Sequence, residues 1–554
     1  MDNTSIFRAC FFILLVPLAM ATAAMVQEHP PLWQMEFTDL TVEIDPAGGL
    51  MKGDSWLRLK SPGSGAGAIS LDLNHELTVL SVADETGRPL AFDRNGGNLT
   101  VHPEKLPLDS EAYAFRVRYE GAFSERVREL DLREAWVGPP ASFALDSSRW
   151  YPSISGPVRR SKGKITYLVP QDWVVASVGK LAAEETLPAA KRFFFQMDSP
   201  VEFSFAAAPF TCLREKIDGL EVGVYFLAGG LEKTKYYLEN SSKIVRFFKD
   251  FYGFFPYDGY SLIELPPDLL GNAGGGSYEG LTFYASGVLP DRFFFAPVFG
   301  HEIGHLWWGN CVRGAEGPVI NEGLAQISMG LYIEHLLGEK AFRKLLKNGA
   351  PEYLSVHSAR TYFHALQSPP AGDQPLLGLM VRGEDLELGL PAEDKFNTLH
   401  MLANSKGFFI YAMLRDLIGQ DAFRQGLRGS VERFAWKTMT LQDLRTEFEK
   451  ASGRELKWFF NQWFFRKGAP EFHLSYAAEP QGQSWLVKGL IAQVRDVYRI
   501  TAKIAFINGS TTEIRSVEIV NKETAFSFVF PYKPESVIFD PDYQIFRWTD
   551  EFKF

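Results

Sequence analysis

The chain has 554 residues, enough for several domains, and its 46% hydrophobic and 22% charged residues fit a globular protein with sizeable cores. A formal net charge of −10 argues against nucleic acid as a partner. Three cysteines are too few for a disulfide scaffold, and position alone gives Cys212 and Cys311 no ground to pair.

The N-terminus reads as a targeting segment. Met1 to Arg8 carries one positive and one negative side chain, Ala9 to Met20 is apolar, and Ala21-Thr22-Ala23 offers small residues for cleavage. Residues 1–24 are therefore expected to be a signal peptide, and the protein to be exported to a periplasmic or extracellular location. The uncharged span from Ala9 to Val26 is long enough that an uncleaved membrane anchor over residues 9–26 is the alternative.

Residues 25–212 alternate apolar and polar side chains, as in Leu40 to Ile44, Ala112 to Tyr119, Lys164 to Val169 and Val201 to Ala206, with turns such as Asn95-Gly96-Gly97 between them. This predicts an N-terminal antiparallel β domain.

From residue 213 to 467 the period changes. Strands over Leu220 to Leu227 and Ser261 to Leu265 flank a helix near Leu231 to Tyr252, and helical spacing returns over Ala341 to Lys347, His400 to Ile418, Leu441 to Ala451 and Leu456 to Phe465. In this region lies His301-Glu302-Ile303-Gly304-His305. On a helix, residues four apart share a face, so His301 and His305 can hold one zinc ion while Glu302 meets what the ion binds. Pro297 suits the first turn, Gly309 can end the helix, and Phe299, Ile303, Leu306 and Trp307 form a stripe that would bury it.

Two histidines leave zinc short of the three protein ligands usual at a catalytic site. An extended histidine pattern fails, because Cys311 and Trp308 occupy the positions where it needs histidine and glycine. Glu322, in Asn321-Glu322-Gly323-Leu324-Ala325, is the better third ligand, opening an apolar helix that runs to about Leu337.

Upstream stands Gly274-Gly275-Gly276-Ser277-Tyr278-Glu279-Gly280-Leu281. With Gly276 to Gly280, His301 to Asn310 and Asn321 to Ala325 in this order, the chain resembles the aminopeptidase N family of zinc metallopeptidases. The resemblance implies a thermolysin-like catalytic domain, and an N-terminal saddle in which Arg149-Trp150-Tyr151-Pro152 has a counterpart and Asp146 is the nearest acid for amine recognition. It also implies that Glu279, with Gly276 and Tyr278 beside it on a substrate-binding strand, anchors the free α-amine of a peptide or protein substrate. An amine fixed in this way would place the first carbonyl over the metal.

Where the family carries a tyrosine that donates to the tetrahedral oxyanion, this chain has Asn404, in Asn404-Ser405-Lys406-Gly407-Phe408. An amide can donate to an oxyanion, but losing one such donor costs on the order of 3–4 kcal/mol. Tyr362 and His400 are the other side chains that could serve, whereas Tyr411 lies two turns away.

Residues 468–554 return to strands, at Trp485 to Val487, Val497 to Phe506, Glu513 to Val520 and Ser536 to Asp540, and predict a small β-sandwich. The expected fold class is thus α+β multidomain. The expected function is an exported zinc aminopeptidase holding one Zn2+ on His301, His305 and Glu322, with Glu302 as the base. A zinc endopeptidase, or a catalytically weak zinc-bearing peptide binder because of Asn404, are the alternatives.

Overall fold

The computed structural model describes residues 33–547 except 62–67, 105–110, 128–130, 156–158, 272–273, 290–295, 349–385, 391–398 and 401. The targeting segment and Tyr362 lie outside the described residues. Two compact units divide the chain, residues 1–306 and 307–554.

The first unit opens with a seven-stranded sheet in the order 180–186, 191–201, 161–169, 34–45, 50–60, 112–121, 77–84. All neighbours are antiparallel except Gln34–Asp45 and Ser161–Val169, which run parallel. Along Gln34–Asp45 the side chains of Leu40, Val42 and Ile44 are buried and those between them are exposed, so the period-two pattern places one face in the core. Two four-stranded sheets complete this all-β region.

A five-stranded sheet follows, made of β1 (Thr211–Ile217), β2 (Leu220–Phe226), β3 (Gly259–Leu265), β4 (Gly275–Tyr278) and β5 (Leu281–Ala285) in the order β1-β2-β3-β5-β4. β2, β3 and β5 are parallel neighbours, while β1 and β4 form antiparallel edges. Helix α1 (Gly230–Tyr252) makes the crossover from β2 to β3 and stops at Gly253, which takes a left-handed conformation and donates to the Lys249 carbonyl. β3 is buried along its whole length, as a strand covered on both faces must be.

That burial includes a charge. Glu264 of β3 is fully buried and accepts from the N–H groups of Leu227 and Ala228 and from Lys233 Nζ at 3.4 Å. Deleting one partner of a buried pair strands the other, so Glu264→Ala is expected to cost on the order of 3–5 kcal/mol in denaturant unfolding.

Helix α2 (Ala296–Gly304) closes the first unit, and Phe299 sets it against α1 and β5 through edge contacts with Tyr237 (5.6 Å) and Tyr284 (5.1 Å).

The second unit is built on α3 (Gly317–Leu337), whose residues from Gly317 to Ile333 are all buried. A helix enclosed over this length lies inside a core, and it carries polar side chains there, Glu322 and Gln326 among them. Then come α4 (Glu339–Asn348), α5 (Phe408–Ile418), α6 (Gln420–Phe434), α7 (Leu441–Ser452) and α8 (Lys457–Trp463). Only α6 had no counterpart among the sequence expectations. α3 and α5 approach closely: a β-carbon at Gly323 would stand 2.8 Å from the Tyr411 ring, and one at Gly330 2.8 Å from Phe408.

Two three-stranded sheets end the chain, ordered 472–481, 484–493, 523–530 and 511–519, 500–508, 536–539. Phe506 of the second meets Phe526, Phe528 and Phe530 of the first, which joins them as a sandwich. Cys212 and Cys311 are both free thiols. Among the described residues no helix is long and apolar enough to cross a membrane. The expected α+β multidomain class is what the chain adopts.

Candidate metal centre

The histidine pair lies at the end of α2. Regular helix stops at Gly304, five residues before the expected Gly309, yet the His305 N–H still reaches the His301 carbonyl at 3.1 Å. The four-residue bond therefore closes at the second histidine, and both rings share a face. Gly309 serves a turn further on, where at φ +101° it bends the chain so that its N–H reaches the Val312 carbonyl at 2.8 Å.

His301 and His305 are buried, and their Nε2 atoms face one another at 3.0 Å. A tetrahedral zinc ion about 2.1 Å from each would set them about 3.4 Å apart, so a small outward shift of the pair fits one ion. Glu302 is half-buried.

Glu322 sits in the second turn of α3, where Asn321 Oδ1 accepts the Gly314 N–H at 2.8 Å and fixes the connection ahead of it. Ligand atoms of His301, His305 and Glu322 all lie within 4.8 Å of one another. Two imidazoles and a carboxylate, all buried, are the donor set of a catalytic zinc site.

Asn404 stands beside this carboxylate. It lies in a π-helical turn, Ala403–Gly407, ahead of α5, and its Nδ2 donates to Glu322 Oε2 and to the His400 carbonyl, each at 3.2 Å. His400 Nδ1 is 3.6 Å from Glu322 Oε1. An amide nitrogen carries two N–H groups, and both have acceptors within the protein. Asn404, expected from the sequence as an oxyanion donor, has both N–H groups engaged by these two acceptors. Tyr411, also remote, donates to the Val319 carbonyl at 3.1 Å.

The glycine-rich segment forms the edge strand β4. Tyr278 pairs with Leu281, so Glu279 and Gly280 are the two residues of a tight hairpin turn, with Gly280 at φ +76°. Gly276 and Tyr278 lie on this edge strand, and the Tyr278 ring meets Phe283 at 5.5 Å.

Glu279 is buried, and both its oxygens are bonded: Oε1 accepts from Arg160 Nε, and Oε2 from the Glu202 N–H at 2.6 Å. Next to them Arg159 donates to Asp146 Oδ2 at 3.2 Å. Burial, then the charge of Glu202, pushes the Asp146 carboxyl well above the usual carboxylate range. The sequence placed Asp146 near the amine site but gave no sign of Arg160, which lies 119 positions from Glu279.

Paired histidines on one helix, a glutamate beside the first and a carboxylate on the next long helix form the kind of donor set that holds a catalytic zinc ion. Residues 236–463 match the Peptidase family M1 domain. Similar proteins include rice Aminopeptidase M1-A, 23% identical over 365 residues, which are 63% of this chain and 39% of the rice protein. Rat Glutamyl aminopeptidase is 23% identical over 366 residues, 60% of this chain and 36% of the relative. The match thus takes in well under half of the relatives' length.

The fold is shared with an M1 zinc metallopeptidase of Deinococcus radiodurans bound to a Tyr-Ser-Ala substrate (TM-score 0.62, 18% identity, 78% of this chain and 94% of that one). It is shared too with aminopeptidase A of Legionella pneumophila in complex with aspartic acid (TM-score 0.68, 15% identity, 94% of this chain and 60% of that one). Over residues 236–463 the chain thus matches the Peptidase family M1 domain, and the proteins it is similar to are aminopeptidases that carry it.

Proposed function

We propose that the protein is a zinc aminopeptidase that hydrolyses the first peptide bond of substrates with a free N-terminus. The observation that carries this reading is the buried His301, His305 and Glu322 group, its ligand atoms within 4.8 Å of one another, with Glu302 adjacent in sequence to the first histidine. When bound, zinc supplies Lewis acidity, which polarises a carbonyl and makes water a better nucleophile.

The chain's own residues do the rest. Glu302 takes the proton from the attacking water as the C–O bond forms, then delivers it to the amine nitrogen as the peptide C–N bond breaks, which regenerates the carboxylate. Glu279, in the turn of the β4 hairpin, meets the substrate amine, and the open edge of β4 pairs with substrate backbone.

An endopeptidase reading is favoured by one observation, the Arg160 guanidinium on Glu279 Oε1, which offsets the charge that an amine would seek. The two readings separate on a free aminoacyl amide and its N-blocked counterpart. The aminopeptidase reading expects cleavage of the free amide alone. It also expects Glu279→Gln to raise KM for the free amide about 10–100-fold, the worth of a charge-assisted hydrogen bond. Equal cleavage of both substrates would move the assignment to an endopeptidase.

Export is part of the proposal, supported by the apolar run and small-residue site within residues 1–24. N-terminal sequencing of the natively produced protein tests it: a start near residue 25 means cleavage, and an intact start in the membrane fraction means an anchor.

A further inference from the structure

We propose that Asn404 is a positioning residue that orients Glu322 as a metal ligand. The inference rests on the zinc reading of His301, His305 and Glu322, and is independent of which substrate is cleaved.

The hydrogen-bonding chemistry fixes which way the amide faces. Both groups it meets, the Glu322 carboxylate oxygen and the His400 carbonyl, are acceptors, so the amide must present nitrogen to them. The reverse orientation would press oxygen against oxygen in a buried site. Nδ2 then bridges the ligand carboxylate to the backbone of its own turn. Oδ1 is left buried and, among the described residues, without a hydrogen-bond partner. Being a carbonyl oxygen, it would repel a developing oxyanion, so the side chain acts on the metal through Glu322 and not on the substrate.

The backbone around this bond is held rigidly. The π-turn Ala403–Gly407 widens the helix by one residue, a device that re-aims side chains at functional sites. Its closeness to α3 shows at Gly323, next in sequence to the ligand, where a β-carbon would stand 2.8 Å from the Tyr411 ring and 3.4 Å from the Ala403 carbonyl oxygen. The Tyr411 hydroxyl, donating to the Val319 carbonyl, bonds the two helices to each other. His400 Nδ1 lies 3.6 Å from the other carboxylate oxygen, beyond hydrogen-bond range, so the bond that orients the Glu322 carboxylate here is the one from Asn404. Partners of this kind, bonded to a ligand and not to the metal, typically contribute 10–100-fold in metal affinity.

The test uses the full chain and two substitutions, Asn404→Ala and Asn404→Leu, the second keeping the volume while removing the donors. Zinc affinity is measured by competition with a chromophoric chelator, and geometry by the visible spectrum of the cobalt-loaded protein. Each substitution is expected to weaken zinc binding about 10–100-fold and to shift the cobalt bands. Unchanged affinity overturns the proposal. So does weakened affinity with an unshifted spectrum, because loss of packing alone would not alter the ligand field of the molecules that still bind metal. Wild-type protein that takes up no zinc overturns the zinc reading and this inference together. Wild-type protein that binds zinc but cleaves neither test substrate overturns only the assigned activity.

Discussion

Glu302→Gln is expected to lower turnover of a free aminoacyl amide by about 10²–10⁴-fold while zinc content stays at that of the wild type. Glutamine has the size and shape of glutamate but cannot accept the water's proton, and it leaves both imidazoles in place. The phenols around Glu302 make poor replacement bases. Tyr260, Tyr278 and Tyr284 all sense its charge, and burial, the largest cause, raises the pKa of each. They therefore remain neutral at physiological pH. The decisive measurement pairs steady-state kinetics with metal analysis of the same sample. Turnover retained at full zinc content would remove Glu302 as the base, whereas loss of both would mean that the substitution had disturbed the ligands.

How much of this could be read from the sequence depended on how local each feature is. The His301 and His305 pair was legible because helical geometry alone brings residues four apart together, and the early end of α2 leaves that bond in place. Glu322 was legible because it follows the histidine pair at short range and opens a largely apolar helix. Strands were legible where one face is wet, as in Gln34–Asp45, where apolar and polar side chains alternate.

The Arg160 to Glu279 bond was not legible, because it joins a residue just ahead of one strand to a hairpin turn 119 positions away, and nothing in the local pattern of either segment requires the other. Nor was the direction of the Asn404 amide. The expectation that it would donate to an oxyanion followed from the residue type at that position, whereas the π-turn that points it at Glu322 depends on backbone geometry.

Glu322→Gln is expected to remove zinc altogether under dialysis and to take turnover to background, a larger effect than loss of the base because metal and ordered water go together. The fold should survive. A glutamine in this place keeps the volume, and its carbonyl oxygen can still accept from Asn404, so no buried donor is stranded at a cost of about 1–3 kcal/mol. What it lacks is the negative charge that makes a carboxylate a zinc ligand, leaving two imidazoles for an ion that needs three protein ligands. An alanine at the same position would confuse the result, because it would strand the Asn404 N–H and open a cavity in the buried part of the helix. The measurement is metal content after dialysis together with the unfolding midpoint of the metal-free protein. A metal-free midpoint matching that of wild type, with zinc absent from the substituted protein alone, would place the effect at the ligand. Zinc retained at wild-type affinity would mean that the carboxylate does not hold the ion, and the peptidase reading would have to find its third ligand elsewhere.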